Sequence, residues 1–262
     1  MDSKPRSKAK TTVLIATLAA VFAVLRIIPT FPLVGVSGAR FSASDSFASL
    51  YGMILGPYAS AVCITLGTII GFLIGRPPIF WGFDFIPAAV NGITLGLIIR
   101  GRRKYAILLY LMLLFLFVAH PYTQLLIPLS AAPGKGAFEV PFVWMHLLGL
   151  LILASPIGSK LERLITSTSI ANVTLGFLLS SFVGTLSQHL TGNLLYASII
   201  LPFLSDQART ANWAIIFWLY PIERLVIVAI STMIAVPIIR ALRSLGSVSQ
   251  VAGIKTTAVR QR

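Results

Sequence analysis

Apolar residues along this chain come in long runs, broken by short polar or Pro/Gly-rich segments. A helix crossing a bilayer needs about 20 mostly apolar residues at about 1.5 Å of rise each. Against that length, the first run is Thr11 to Ile28, stopped by Pro29. The second, Ser44 to Leu55, ends at Gly56-Pro57, and a third spans Tyr58 to Gly75. Further runs cover Asp84 to Ile99, Tyr105 to Ile127, Val140 to Ile157 and Ser169 to about His189. The last, Trp213 to Leu242, contains Pro221 and Pro237. The second run rises only about 18 Å, so it is either a short helix or a re-entrant hairpin with the start of the third.

Composition narrows the class. Only 11% of residues are charged, against about 25% in soluble domains, and mean hydropathy is +0.90. A soluble domain of this size could not hide so much apolar surface, and a disordered chain would be far more polar. The pattern predicts an all-α, polytopic transmembrane bundle of about eight spans, one of them short. The bundle covers residues 11–242, between a basic tail over 1–10 and a second, disordered basic tail over 243–262. The N-terminus resembles a signal peptide, yet seven more apolar runs follow it, so it reads as an uncleaved first span.

A net charge of +14 suggests nucleic acid, but there is too little solvated face to hold a basic binding surface. The bases fall instead at the ends of the runs. At the start of the first run and around the ends of the fourth, sixth and eighth lie fifteen of the 21 Lys and Arg. Four lie on the opposite side (Arg40, Arg76, Lys135 and Arg209), and Arg26 and Arg224 lie within runs. Short cytoplasmic loops retain positive charge, so a cell-membrane protein with both termini cytoplasmic is expected. Cys63 is the lone cysteine and permits neither an internal disulfide nor a cysteine metal site.

Small residues recur every four positions. Ala16/Ala20 and Ala19/Ala23 do so in the first run, Gly67, Gly71 and Gly75 in the third, and Gly92 and Gly96 in the fourth. Such spacing brings helix backbones close within a bundle, or presents a smooth face to another membrane protein. Intramembrane polar groups are costly and either pair or line a cavity. Asp45 and Asp84 start runs and could cap helix N-termini. Asn91 lies two turns into the fourth run, and Gln188, His189, Asn193 and Tyr196 cluster near the end of the seventh. The eighth carries Trp218, then Pro221, Glu223 and Arg224. Adjacent helical residues point about 100° apart, so Glu223 and Arg224 each call for a partner elsewhere, either a structural ion pair or a polar cavity. Arg26 could meet Glu223 or snorkel. Trp81, Trp213 and Tyr220 read as interfacial belt residues. His120 and His146 have no second ligand at helical spacing, so no metal site is expected. No phosphate-binding loop, nucleophile elbow or zinc-protease motif occurs, so no enzyme and no cofactor are expected.

The run Ala16-Thr-Leu-Ala-Ala20-Val-Phe-Ala23, a Pro/Gly-rich loop, and then Phe41-Ser-Ala-Ser-Asp45-Ser-Phe-Ala-Ser-Leu-Tyr-Gly52-Met-Ile-Leu-Gly56-Pro57 stand in order. Together with Gly184–Tyr196 and Tyr220–Val226, they resemble the substrate-binding S component of energy-coupling factor (ECF) transporters. The resemblance implies a six-helix core, here with an added helical pair over residues 105–157. It also implies a receptor for a vitamin or similar small solute, working with a transmembrane T component and two ATPase subunits. On this basis His189, Asn193, Tyr196 and Glu223 are the expected substrate-binding residues, and Ala16, Ala20 and Ala23 face the T component. The residues themselves, without the resemblance, add Asn91 and Trp218. Two other classes stand beside this one: a self-sufficient secondary transporter or channel, and a membrane enzyme acting on a lipid-linked substrate.

Overall fold

The computed structural model describes residues 8–130 and 137–244. The tails expected over 1–10 and 243–262 fall largely outside these residues. The parts inside, residues 8–10 and 243–244, are helical.

The chain is an all-α membrane bundle with two small hairpins. Helix α1 (Lys8–Ile27) leads into an antiparallel pair, β1 (Pro29–Pro32) and β2 (Arg40–Ser42). A 3-10 turn over Ala43–Phe47 runs into α2 (Ala48–Leu55), and α3 (Pro57–Leu73) follows at once. Gly56 makes this joint with φ +78°, a conformation that a Cβ disfavours. Pro57 fits the first position of α3, whose N–H has no helical partner anyway. The second run therefore reaches deep. Leu55 O accepts from Arg100 Nη2 at 3.0 Å, and Arg100 closes α4 (Phe85–Ile99). The turn and α2 together descend the full depth of α4, about 22 Å by helix rise.

Helix α5 (Arg103–Ala119) stops earlier than the apolar run. Pro121 forces His120 into extended backbone (ψ 131°). The rest of the run becomes β3 (Leu126–Ser130), paired in antiparallel register with β4 (Ala137–Pro141). The sixth run likewise shortens to α6 (Trp144–Ala154), because Pro156 holds Ser155 extended. It continues, bent by 56°, into a turn and α7 (Leu161–Thr166). Helix α8 (Ile170–Ile199) runs well past His189, and α9 (Asp206–Ser244) starts seven residues before Trp213. Pro221 and Pro237 sit inside α9 without ending it.

Among the described residues, Ile170–Phe203 and Asp206–Arg243 are each long and apolar enough to cross a membrane alone. The bent α6–α7 pair passes that test together, and α1, α3 and α4 are shorter apolar helices. Helix α4 stands between two hydrophobic clusters. One joins α1, α2 and α3 around Phe22, Tyr51 and Ile64. The other joins α5, α6, α8 and α9 around Tyr110, Phe142 and Trp213. The pair expected as an addition thus packs into the core, with Tyr110 Oη donating to His146 O at 3.0 Å.

At the Arg100 end, arginines cap helix C-termini, where carbonyls lack helical donors. Arg103 donates to Leu153 O at 2.6 Å, and also to Ala154 O and Ser155 O. Arg243 donates to Ser167 O at 2.5 Å, and to Ile165 O. Basic residues at this end therefore hold the fold together directly.

Candidate functional site

At the opposite end, a cavity of about 90 Å³ opens beneath the β1–β2 hairpin, several times the roughly 10–15 Å³ that a single water requires. Helical spacing explains its walls. Gln188, His189, Gly192, Asn193 and Tyr196 of α8 lie at i, i+1, i+4, i+5 and i+8, which is one helix face. Ile216, Leu219, Tyr220, Glu223 and Arg224 repeat the pattern on α9. Arg26 from α1, Asp45, Asp84 and Phe41 complete the wall.

A chain of hydrogen bonds fixes the α8 face. Ser181 Oγ donates to Ser49 Oγ at 3.1 Å, and Ser49 Oγ to Asn91 Oδ1 at 2.9 Å. Asn91 Nδ2 donates to Gln188 Oε1 at 2.8 Å, and Gln188 Nε2 to Asp45 Oδ1 at 2.8 Å. Asp45 Oδ2 accepts from Ser42 N at 3.1 Å, tying the network to β2. Each bond satisfies a polar group that would be costly to bury alone. Asn91 is thus wholly buried behind the wall, and it orients Gln188 instead of lining the cavity. Asp84 accepts from Ile79 N at 3.0 Å and Phe80 N at 3.1 Å, holding the loop that precedes α4.

Beneath the cavity lies an aromatic stack. His189 and Tyr220 stack at 4.7 Å and 20°, and His146 lies edge to edge with His189, nearly coplanar at 8° with centroids 5.2 Å apart. Phe142 joins them, 5.4 Å from Tyr220. His146 Nε2 and His189 Nδ1 share a hydrogen bond of 3.0 Å, and Tyr220 Oη donates to Phe142 O at 3.0 Å. Such a stack offers a flat, polarisable floor. His146 joins it from α6, which packs against α8 but lies far from it in sequence, so no spacing along the chain reveals the pair. Among the described residues, no three His, Cys, Asp or Glu side chains are placed to hold a metal ion.

The hairpin closes on a second polar pair. Asn212 Nδ2 donates to Tyr196 Oη at 2.9 Å, joining α8 to α9. Gly35 at the hairpin tip packs so tightly here that a Cβ would lie 2.3 Å from Asn212 Nδ2 and 2.6 Å from Tyr196 Oη.

Several expectations change. Trp218 is 63% exposed and does not line the cavity; Leu219 and Tyr220 do. Trp213 and Tyr220 are buried instead of interfacial, and Trp213 Nε1 donates to Tyr122 O at 2.8 Å. Glu223 and Arg224 do pair, with Arg224 Nη2 3.5 Å from Glu223 Oε2. Their backbones diverge, but both side chains are long enough to curl together. Arg26 meets Asp84 Oδ1 at 4.0 Å and not Glu223. Ala16 and Ala20 face outward, whereas Ala23 is 1% exposed and turns into the bundle with Ala19, so it cannot face a partner. His189, Asn193, Tyr196 and Glu223 all line the one cavity. Arg26, Asp45, Gln188 and Tyr220 also line it. Helical spacing was the available signal: Tyr220 stands three residues before Glu223, and Gln188 shares one face of α8 with Tyr196, eight residues on.

Comparison with known proteins adds the following. The sequence model of a family described as "ECF-type riboflavin transporter, S component" matches residues 6–132. An uncharacterized protein of Methanocaldococcus jannaschii is 23% identical over 205 residues, covering 74% of this chain. The chain spans 64% of the length of that relative. No solved structure matches.

Proposed function

We propose that this chain, similar over residues 6–132 to the S components of energy-coupling factor transporters, is a membrane-embedded subunit that binds a vitamin or similar small solute for import. The observation that carries this reading is the cavity itself. It is enclosed by one face each of α8 and α9, floored by a stack of aromatic rings, and roofed by a hairpin. In this reading the solute rests its flat part on Tyr220 and His189 and meets Asn193 and Glu223 at the wall. Asn91 acts through Gln188, and Tyr196 through its bond to Asn212. The chain binds and presents; it catalyses no bond change.

The cavity end faces outward in this reading, and the basic end and both termini face the cytoplasm. A T component docks on the outward stripe of α1 that carries Ala16 and Ala20, and brings two ATPase subunits that power import. Equilibrium binding of a vitamin panel to the purified full chain tests the first claim, with riboflavin as the first probe because the matched family is named for it. Co-purification tests the second. Saturable one-to-one binding and recovery with a T component and ATPases are expected. Binding of nothing in the panel, together with solute uptake by vesicles holding this chain alone, would overturn the reading.

A further inference from the structure

Charge and hydrogen bonding around the cavity are unevenly matched. Four arginines line it (Arg26, Arg40, Arg76 and Arg224), against three acids (Asp45, Asp84 and Glu223). The acids Asp45 and Asp84 already accept from backbone N–H groups and from Gln188. Arg76 is spent on the carbonyls of Arg26 and Arg40. Arg26 and Arg224 are different. They are 6% and 2% exposed, yet the Arg26 guanidinium donates no hydrogen bond among the described residues, and its only acid contact is Asp84 at 4.0 Å. Arg224 has the single 3.5 Å pair with Glu223. Nε of each is sealed without a partner, as is Glu223 Oε1, which calls for one donor from the solute; the Nη N–H groups are the donors that a ligand can reach. Phe72 and Phe41 lie 5.5 and 5.7 Å from the two guanidinium carbons, so cation–π contact supplies part of the compensation but no acceptor.

Buried guanidinium donors require acceptors, and planar oxyanions match their fork geometry best. We infer that the cavity takes an anionic solute, a flat ring bearing a carboxylate or phosphate, whose oxyanion binds between Arg26 and Arg224 while the ring lies on Tyr220 and His189. This rests on the cavity being the substrate site. The excess of one arginine over the acids favours a single negative charge, and a neutral solute would leave both guanidinium groups short of acceptors.

The test uses matched probes that differ in the charged group: nicotinate and nicotinamide, biotin and biotinamide, riboflavin 5′-phosphate and riboflavin. Binding of each to the purified full chain is measured at equilibrium. In the pair that binds, the acid is expected to bind about tenfold or more tightly than its neutral twin, since charged hydrogen bonds exceed neutral ones. If the preferred source is phosphate, only the flavin pair shows it; if carboxylate, only the other two. Arg26→Gln and Arg224→Gln are expected to bring acid and neutral twin to parity, with Arg224→Lys keeping part of the preference. The wild-type ratio decides alone if the Gln variants do not fold. Riboflavin or another neutral twin binding as well as its acid would overturn the inference and leave the substrate-binding reading standing. No binding by any probe would remove both.

Discussion

Replacing Gly96 with alanine tests the packing that holds the site's scaffold together. A Cβ on Gly96 would lie 2.4 Å from the Pro57 nitrogen and 2.7 Å from the Gly56 carbonyl carbon. Ordinary contact begins near 3.4 Å, so the α2–α3 joint must retreat by about 1 Å. Both opposing atoms are backbone, so no rotamer change relieves the clash. The joint is also fastened by Arg100 to Leu55 O. Overpacking of this kind costs about 1–3 kcal/mol, and alanine's helical advantage over glycine returns up to about 1 kcal/mol. With rigid backbone opposing it the clash falls in the upper part of that range, so a net loss of about 1–2 kcal/mol would lower the melting temperature by roughly 2–8 °C in a chain of this size. Cys63 reports the unfolding, because it is the sole cysteine and fully buried, so a fluorogenic thiol reagent reacts only once α3 opens. Gly192→Ala is the control, since its Cβ would meet nothing closer than Pro87 Cγ at 4.0 Å. It is expected to melt with the wild type or slightly above it. Gly96→Ala melting within about 1 °C of the wild type would refute the contact.

Three further outcomes are expected. Arg103→Ala strips the donors from the last carbonyls of α6, at a cost of about 1–3 kcal/mol, and should lower the same thiol-reported melting temperature. Tyr220→Ala removes one ring of the floor, whose pairing with His189 is worth about 0.5–1.5 kcal/mol; isothermal calorimetry should show solute affinity falling about two- to tenfold or more. Asn212→Ala frees Tyr196 and loosens the seat of the hairpin tip, so stopped-flow measurement should find faster release of bound solute than from the wild type.

Most of the helices were legible in the sequence because apolar run length is a strong signal, and breaks at Pro29 and at Gly56-Pro57 match element ends. The helix boundaries err in two ways. Polar residues near the end of a run were read as its limit, yet Gln188, His189 and Asn193 continue α8 because they are buried and bonded within the cavity wall. Conversely, the ends of the fifth and sixth runs, residues 122–127 and 140–142, look like helix but lie beyond the extended backbone that Pro121 imposes, and hairpin pairing takes Leu126, Ile127, Val140 and Pro141. At the site, neighbours within one helix were recoverable by spacing, so His189, Asn193 and Tyr196 fall on one face. Trp218 was not, because a shift of one or two residues along α9 turns a side chain from the cavity to the outer face. The His146–His189 pair joins positions 43 residues apart, and only tertiary packing brings them together. The basic residues at the ends of α4 and α9 signalled one end of the bundle, but their capping of helix C-termini needed coordinates.

Native mass spectrometry of the full chain, purified gently from its membrane, tests the central claim most directly. The account predicts one small solute bound per chain, released as a defined mass and retained less by Tyr220→Ala. A chain that emerges without any bound solute and shows no saturable binding of the vitamin panel would contradict it.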